Sequence, residues 1–172
     1  AMEYRLADPD DESVYLSAQN FKGNTVCVCQ ESTYAFYEKL VVEIQKMYTR
    51  AGTELKNWHT GGDEVPRGVW TKSPICADFL AKNPGVKLED LNDYFRSRTA
   101  QILQKHGLAM GGWEEIGQTH QGNAVIPNPK FADQNWRLYA WNAVAGWGGE
   151  DMAYRLANAG YPVIICSSAN FY

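Results

Sequence analysis

Trp58-His59-Thr60-Gly61-Gly62-Asp63-Glu64-Val65-Pro66 is an apolar lead-in that reaches two glycines, then two adjacent carboxylates, then a proline. A backbone leaving a strand needs conformational freedom at Gly61 and Gly62, and Pro66 forbids further ladder hydrogen bonding. The spacing therefore places Asp63 and Glu64 at the C-terminal mouth of a strand. In parallel α/β folds that mouth is where loops carry binding and chemical groups. An acidic, solvated turn is the plainer reading of an Asp-Glu pair, and the double glycine with its apolar approach argues against it.

Outward from this stretch the same grammar repeats. Leu108 to Trp113 reads as a second strand passing through Gly111-Gly112 into Glu114-Glu115. Asn135 to Trp141 reads as a third, emptying into Gly146-Trp147-Gly148-Gly149, and Val163 to Cys166 as a fourth. Between them lie helical patterns. Thr33 to Arg50, with Ser32 as its N-cap, carries Phe36, Leu40, Ile44 and Met47 on one face and ends at Ala51-Gly52. Ser73-Pro74 opens a short helix to about Ala81, Leu88 to His106 forms a longer one capped by Gly107, and Glu150 to Asn158 forms a last one before Gly160. Residues 1 to 24 read as a turn-rich segment and 116 to 133 as a long polar loop. This alternation predicts an α/β fold with a parallel sheet and a single unit over residues 1–172.

Composition narrows the function. A 45% hydrophobic, 21% charged chain of 172 residues has material for a globular core. Its net charge of -4 and scattered basic residues lack the positive stripe that replaces counterions on nucleic acid. No apolar run reaches the roughly 20 residues that span a bilayer, and no basic-then-apolar leader opens the sequence, so an export signal would lie outside these residues. Four cysteines (Cys27, Cys29, Cys76, Cys166) without paired CxxC spacing, and three histidines, support no metal site and no cofactor. Cys27 and Cys29 are too close to bridge each other, so a disulfide would join one of them to a distant cysteine; Cys166 reads as a buried free thiol. Six Trp and ten Tyr, several near strand ends, suit either a core or the stacking of sugar rings.

His59-Thr60-Gly61-Gly62-Asp63-Glu64-Val65-Pro66, with Trp70 and Ser73-Pro74-Ile75-Cys76, closely resembles the signature of family 20 glycoside hydrolases, the β-N-acetylhexosaminidases and chitobiases of bacterial type. Met110-Gly111-Gly112-Trp113-Glu114-Glu115, Tyr139-Ala140-Trp141, Gly146-Trp147-Gly148-Gly149, and Gly160 to Ile165 closing on Asn170-Phe171-Tyr172 extend the resemblance over essentially the whole chain. The family's catalytic domain is a TIM (β/α)8 barrel, which usually takes about 250 residues. The resemblance implies a fragment of that domain, about strands 4 to 7 with their helices.

Carried over by position, the resemblance makes Asp63 and Glu64 catalytic in a substrate-assisted, retaining hydrolysis of terminal β-linked N-acetylglucosamine or N-acetylgalactosamine from chitooligosaccharides or glycans. Trp113, Trp141 and Tyr172 become substrate contacts, with Trp147 a neighbour and His59 a supporting residue. Their bland readings are core tryptophans and a frayed terminus. Glu114 and Glu115 read as a solvated turn, His106 as a helix-end charge and His120 as a loop residue. The resemblance also implies a disulfide between Cys29 and Cys76, hence an oxidising compartment, periplasmic or secreted. The isolated 172 residues are expected to be inactive and, with two uncovered sheet edges, to self-associate. Two alternatives remain: a non-catalytic carbohydrate-binding or assembly module, and a two-carboxylate glycosidase using Glu64 with Glu115.

Overall fold

The computed structural model describes residues 2–23 and 25–171. They form two compact units: one from the chain up to Leu55 together with Glu64–Gly107, the other from Lys56–Asp63 and the chain from Leu108 onward.

The first unit is helical. α1 (Glu31–Arg50) starts one residue before Ser32, whose hydroxyl donates to the carbonyl of Arg5 at 2.6 Å rather than capping the helix. Its buried residues are Thr33, Tyr34 and Val41, so the expected core stripe is not the one used: Phe36, Leu40 and Met47 are exposed. What turns Tyr34 inward is α3 (Leu91–Lys105), where Arg98 lies 4.0 Å over the Tyr34 ring and grips Glu31 at 2.8 and 2.6 Å with its two terminal nitrogens. A forked guanidinium over an aromatic face holds two helices more specifically than an aliphatic stripe does.

Between those helices, α2 (Pro74–Lys82) begins as the sequence predicts, with Pro74 in its first turn and the Ser73 hydroxyl accepting the Cys76 N–H at 3.1 Å. Buried Asp8 backs this cap by accepting from the Ser73 hydroxyl at 2.6 Å and the Ile75 N–H at 3.2 Å. Burial alone would push the Asp8 carboxyl up, but these bonds, with one from the Asp10 N–H, hold it below its ordinary value. Cys29 and Cys76 are joined in a disulfide across 47 residues. It closes the edge of a core made of Cys27, Val28, Val69, Trp70, Cys76 and Leu91. The Cys27 sulfur lies 3.9 Å from that of Cys76, and burial pushes its thiol up. Although the three sulfurs lie within 4.8 Å of one another, two of them are spent in the bridge, so they do not make a thiolate cage for a metal.

The second unit is built on a four-stranded parallel sheet in the order β1-β2-β5-β6: β1 (Asn57–His59), β2 (Ala109–Trp113), β5 (Arg137–Ala140) and β6 (Val163–Ile165). The fold class is α/β, as expected, and the four strands fall where the sequence places them. Residues 116–133 are not a plain loop. A 3-10 turn (Glu114–Gly117) runs into them, and they hold an antiparallel hairpin of β3 (Gln118–Gln121) and β4 (Ala124–Pro127). Gln-Thr-His-Gln has no apolar alternation to betray a strand, and the pairing is carried by main-chain bonds around Gly122 at φ +61°. α4 (Met152–Asn158) docks on the hairpin through Arg155, which donates to the Val125 carbonyl at 3.1 Å. Leu108, Met110, Ile116, Phe131, Trp136, Leu138, Leu156 and Tyr161 form the buried core here. Cys166 is a free thiol but only half-buried, because β6 is an edge strand whose Ile165 is 60% exposed. A short helix, α5 (Ser168–Phe171), follows β6, and Tyr172 lies outside the described residues.

Candidate active site

Beyond His59 the chain stays in register with β2: the Thr60 N–H donates to the Gly111 carbonyl at 2.8 Å, and the Trp113 N–H returns to the Gly61 carbonyl at 2.9 Å. Two glycines make that approach possible. A Cβ on Gly62, which has φ +97°, would meet the Ile116 side chain at 2.3 Å, and one on Gly112 would meet the Gly61 carbonyl at 2.8 Å. Asp63, the residue after Gly62, is thereby delivered exposed just past the mouth of β1.

His59, at the last position of β1, has its ring 4.8 Å from both Trp113 at the end of β2 and Tyr139 in β5, edge-on to each. Its Nδ1 accepts the Gly61 N–H at 3.2 Å, which fixes a neutral tautomer. Although part of the residue meets solvent, the flanking rings strip water from the imidazole and lower its pKa, and the nearby Asp63 charge opposes this only in part. His59 is thus a neutral brace of the glycine turn, held edge-on by two rings while remaining exposed. Arg137, Tyr139 and His59 border a cleft of about 160 Å³, small beside the roughly 300 Å³ and upward of ligand pockets.

The acids after β2 are not a solvated turn, which corrects the sequence reading. Glu114 is 3% exposed and its carboxyl accepts the backbone N–H groups of Asn142 and Trp141. Burial, then the charge of Glu115, push its pKa up to about 7, against the lowering effect of those two bonds. Glu115 accepts the Trp141 indole N–H at 3.1 Å to each carboxylate oxygen. Nothing in Gly-Gly-Trp-Glu-Glu announces this, because the partners come from beyond β5; the one local sign is Gly117, where a Cβ would strike Leu138 at 2.3 Å. Trp113 and Trp141 are half-buried, whereas Trp147 is 66% exposed in a glycine turn. Tyr172, a predicted substrate contact, falls outside the described residues.

Glu64 is the first residue of the other unit after the chain leaves Asp63. It is exposed, has φ +49°, and accepts from the Gln19 side-chain amide at 3.0 Å. A β-carbon in the left-handed region costs on the order of 1–2 kcal/mol, a conformation that glycine would adopt without strain. Such strain clusters at functional sites, where geometry outranks stability.

Comparison with known proteins agrees with these features. Residues 1–172 match the description of the glycosyl hydrolase family 20 catalytic domain. A β-hexosaminidase of Vibrio vulnificus is 35% identical over 171 residues, covering 98% of this chain and 20% of that protein. An N,N'-diacetylchitobiase of Vibrio harveyi is 26% identical over 202 aligned positions, covering 100% of this chain and 22% of the relative. Among solved structures, an exo-β-N-acetylglucosaminidase from Vibrio harveyi in complex with N-acetylglucosamine superimposes with a TM-score of 0.73 at 26% identity, over 95% of this chain and 22% of that one. The chain spans about a fifth of the length of these curated relatives. With a parallel-strand mouth that presents Asp63 behind two obligatory glycines, and a family match over its whole length, the chain belongs to glycosyl hydrolase family 20.

Proposed function

We propose that these residues are part of the catalytic domain of an exo-acting enzyme that hydrolyses terminal, non-reducing β-linked N-acetylhexosamine from chitooligosaccharides or glycans. The observation that carries the reading is the delivery of Asp63 past β1 by Gly62 and Gly112, with Glu64 held next in a left-handed conformation.

Two residues adjacent at a strand end are ill placed to flank one glycosidic bond at the 5–5.5 Å separation that a two-carboxylate retaining enzyme uses, which favours a nucleophile supplied by the substrate. The 2-acetamido carbonyl oxygen attacks C1 as the C1–O bond breaks, and Glu64 donates its proton to the departing oxygen. Asp63 accepts the acetamido N–H and offsets the positive charge that develops on the resulting oxazolinium. Glu64, now a carboxylate, takes a proton from water; the water oxygen bonds C1, the ring of the oxazolinium opens, and configuration is retained. Trp113 and Trp141 supply walls for the sugar and its acetyl group, Tyr172 a hydroxyl donor to the acetamido oxygen, and Trp147 an outer contact. Pairing of Glu115 with Glu64 is disfavoured because both Glu115 oxygens hold the Trp141 indole.

The four parallel strands are read as strands 4 to 7 of a (β/α)8 barrel, and residues 1–172 as one portion of that domain. The share of the relatives covered supports a further expectation: these residues alone turn over no substrate. The Cys29–Cys76 disulfide supports a periplasmic or secreted setting. In the full-length protein, Glu64→Gln should lower kcat on an aryl β-N-acetylglucosaminide by about 10²–10⁴-fold, the contribution of a general acid–base. An unchanged kcat removes Glu64 from its role.

A further inference from the structure

Trp141 follows β5 directly, and every hydrogen-bonding group it owns is engaged inside the fold. Its backbone N–H goes to the buried Glu114 carboxyl. Its carbonyl accepts the Ala143 N–H at 3.0 Å and the Ser168 N–H at 2.9 Å. Its indole N–H is held at 3.1 Å by both oxygens of Glu115. What remains for any ligand is the ring face. Two neighbouring carboxylates are an electrostatically costly way to fasten one tryptophan, since each raises the cost of ionising the other. The turn that carries them is nonetheless pressed closely onto β5: a Cβ at residue 117 would lie 2.3 Å from the buried Leu138 side chain. A core tryptophan would need one acceptor for its indole and would take its plane from packing alone. A bidentate bond from the ring to Glu115, together with the backbone bond to the Glu114 carboxyl, sets both the position and the rotation of the ring before any ligand arrives.

We propose that Glu115 is a positioning residue, which fixes the indole plane of Trp141 as a preset aromatic wall for the 2-acetamido sugar. This rests on the reading of Trp141 as a substrate wall. Glu115 transfers no proton and touches no substrate. Its effect passes through the indole N–H, so it must vanish when residue 141 has none.

The test uses the full-length protein and an aryl β-N-acetylglucosaminide. Glu115→Ala should lower kcat/KM by about 10-fold or more, the scale seen when a residue that orients a metal ligand is lost. Glu115→Gln, whose amide oxygen still accepts the indole N–H, should recover to within about threefold of wild type. In a Trp141→Phe background, adding Glu115→Ala should cost less than about twofold, because contacting residues are not additive. An equal loss in both backgrounds, or no recovery with glutamine, overturns the proposal. A second readout does not depend on turnover: with ¹⁵N-labelled tryptophan, the indole resonance of Trp141, assigned by Trp141→Phe, should move and exchange faster in Glu115→Ala. An unmoved resonance overturns the proposal as well. If wild-type protein cleaves no N-acetylhexosaminide, the functional reading fails on its own, while the resonance still decides whether Glu115 holds the ring.

Discussion

Glu114 carries the sharpest residue-level consequence. Its carboxyl is buried and titrates at about 7 instead of the ordinary 4.5. Between those values the folded protein keeps a proton that the unfolded chain releases, so stability falls as pH rises through that window. Glu114→Gln cannot ionise and keeps an acceptor for the two backbone N–H groups. Its melting temperature relative to wild type should therefore rise between about pH 5 and pH 8. A difference that is constant with pH would show that Glu114 ionises in the fold as freely as in solution. Asp63 and Glu64 were legible in the sequence as a pair at a strand mouth, because glycine, apolar lead-in and proline are local signals. The burial of Glu114 and the grip of Glu115 on Trp141 were not, since both depend on a segment that returns about 26 residues later.

At the scale of elements, the four strands could be read because each is a short apolar run that ends at glycines, and α2 because Ser73-Pro74 is a start signal with a mechanism. The β3–β4 hairpin escaped because a polar strand has no alternation to show. The buried side of α1 escaped because Arg98, from a distant helix, pulls Tyr34 inward while the more apolar Phe36 and Met47 stay exposed. Pairing of the cysteines could not be derived from spacing and came from the resemblance alone. The bridge spans 47 residues, and closing a loop of that length restricts the unfolded chain by about 4 kcal/mol. Full reduction, checked by mass after alkylation, should lower the urea midpoint accordingly. An unchanged midpoint would mean that the core around Val28 and Leu91 holds the unit without it.

For the whole molecule, β1 and β6 are the outer strands of the four-stranded sheet, and Ile164 and Ile165 on β6 are 38% and 60% exposed. Open ladder groups beside apolar side chains favour pairing with another chain. Light scattering on the 172-residue chain should report a dimer or larger species at micromolar concentration, and a persistent monomer would count against open edges. The chemistry proposed for the complete enzyme makes a stricter demand. If the nucleophile belongs to the substrate, removing the 2-acetamido group removes the reaction, whatever the affinity for the sugar ring. The decisive measurement compares 4-nitrophenyl 2-acetamido-2-deoxy-β-glucoside with 4-nitrophenyl β-glucoside in the full-length protein. Intramolecular nucleophiles reach effective molarities of about 10⁵ M and above, so the glucoside should be cleaved at least about 10³-fold more slowly. Comparable rates on the two substrates would contradict substrate assistance and return the nucleophile to a carboxylate of the protein.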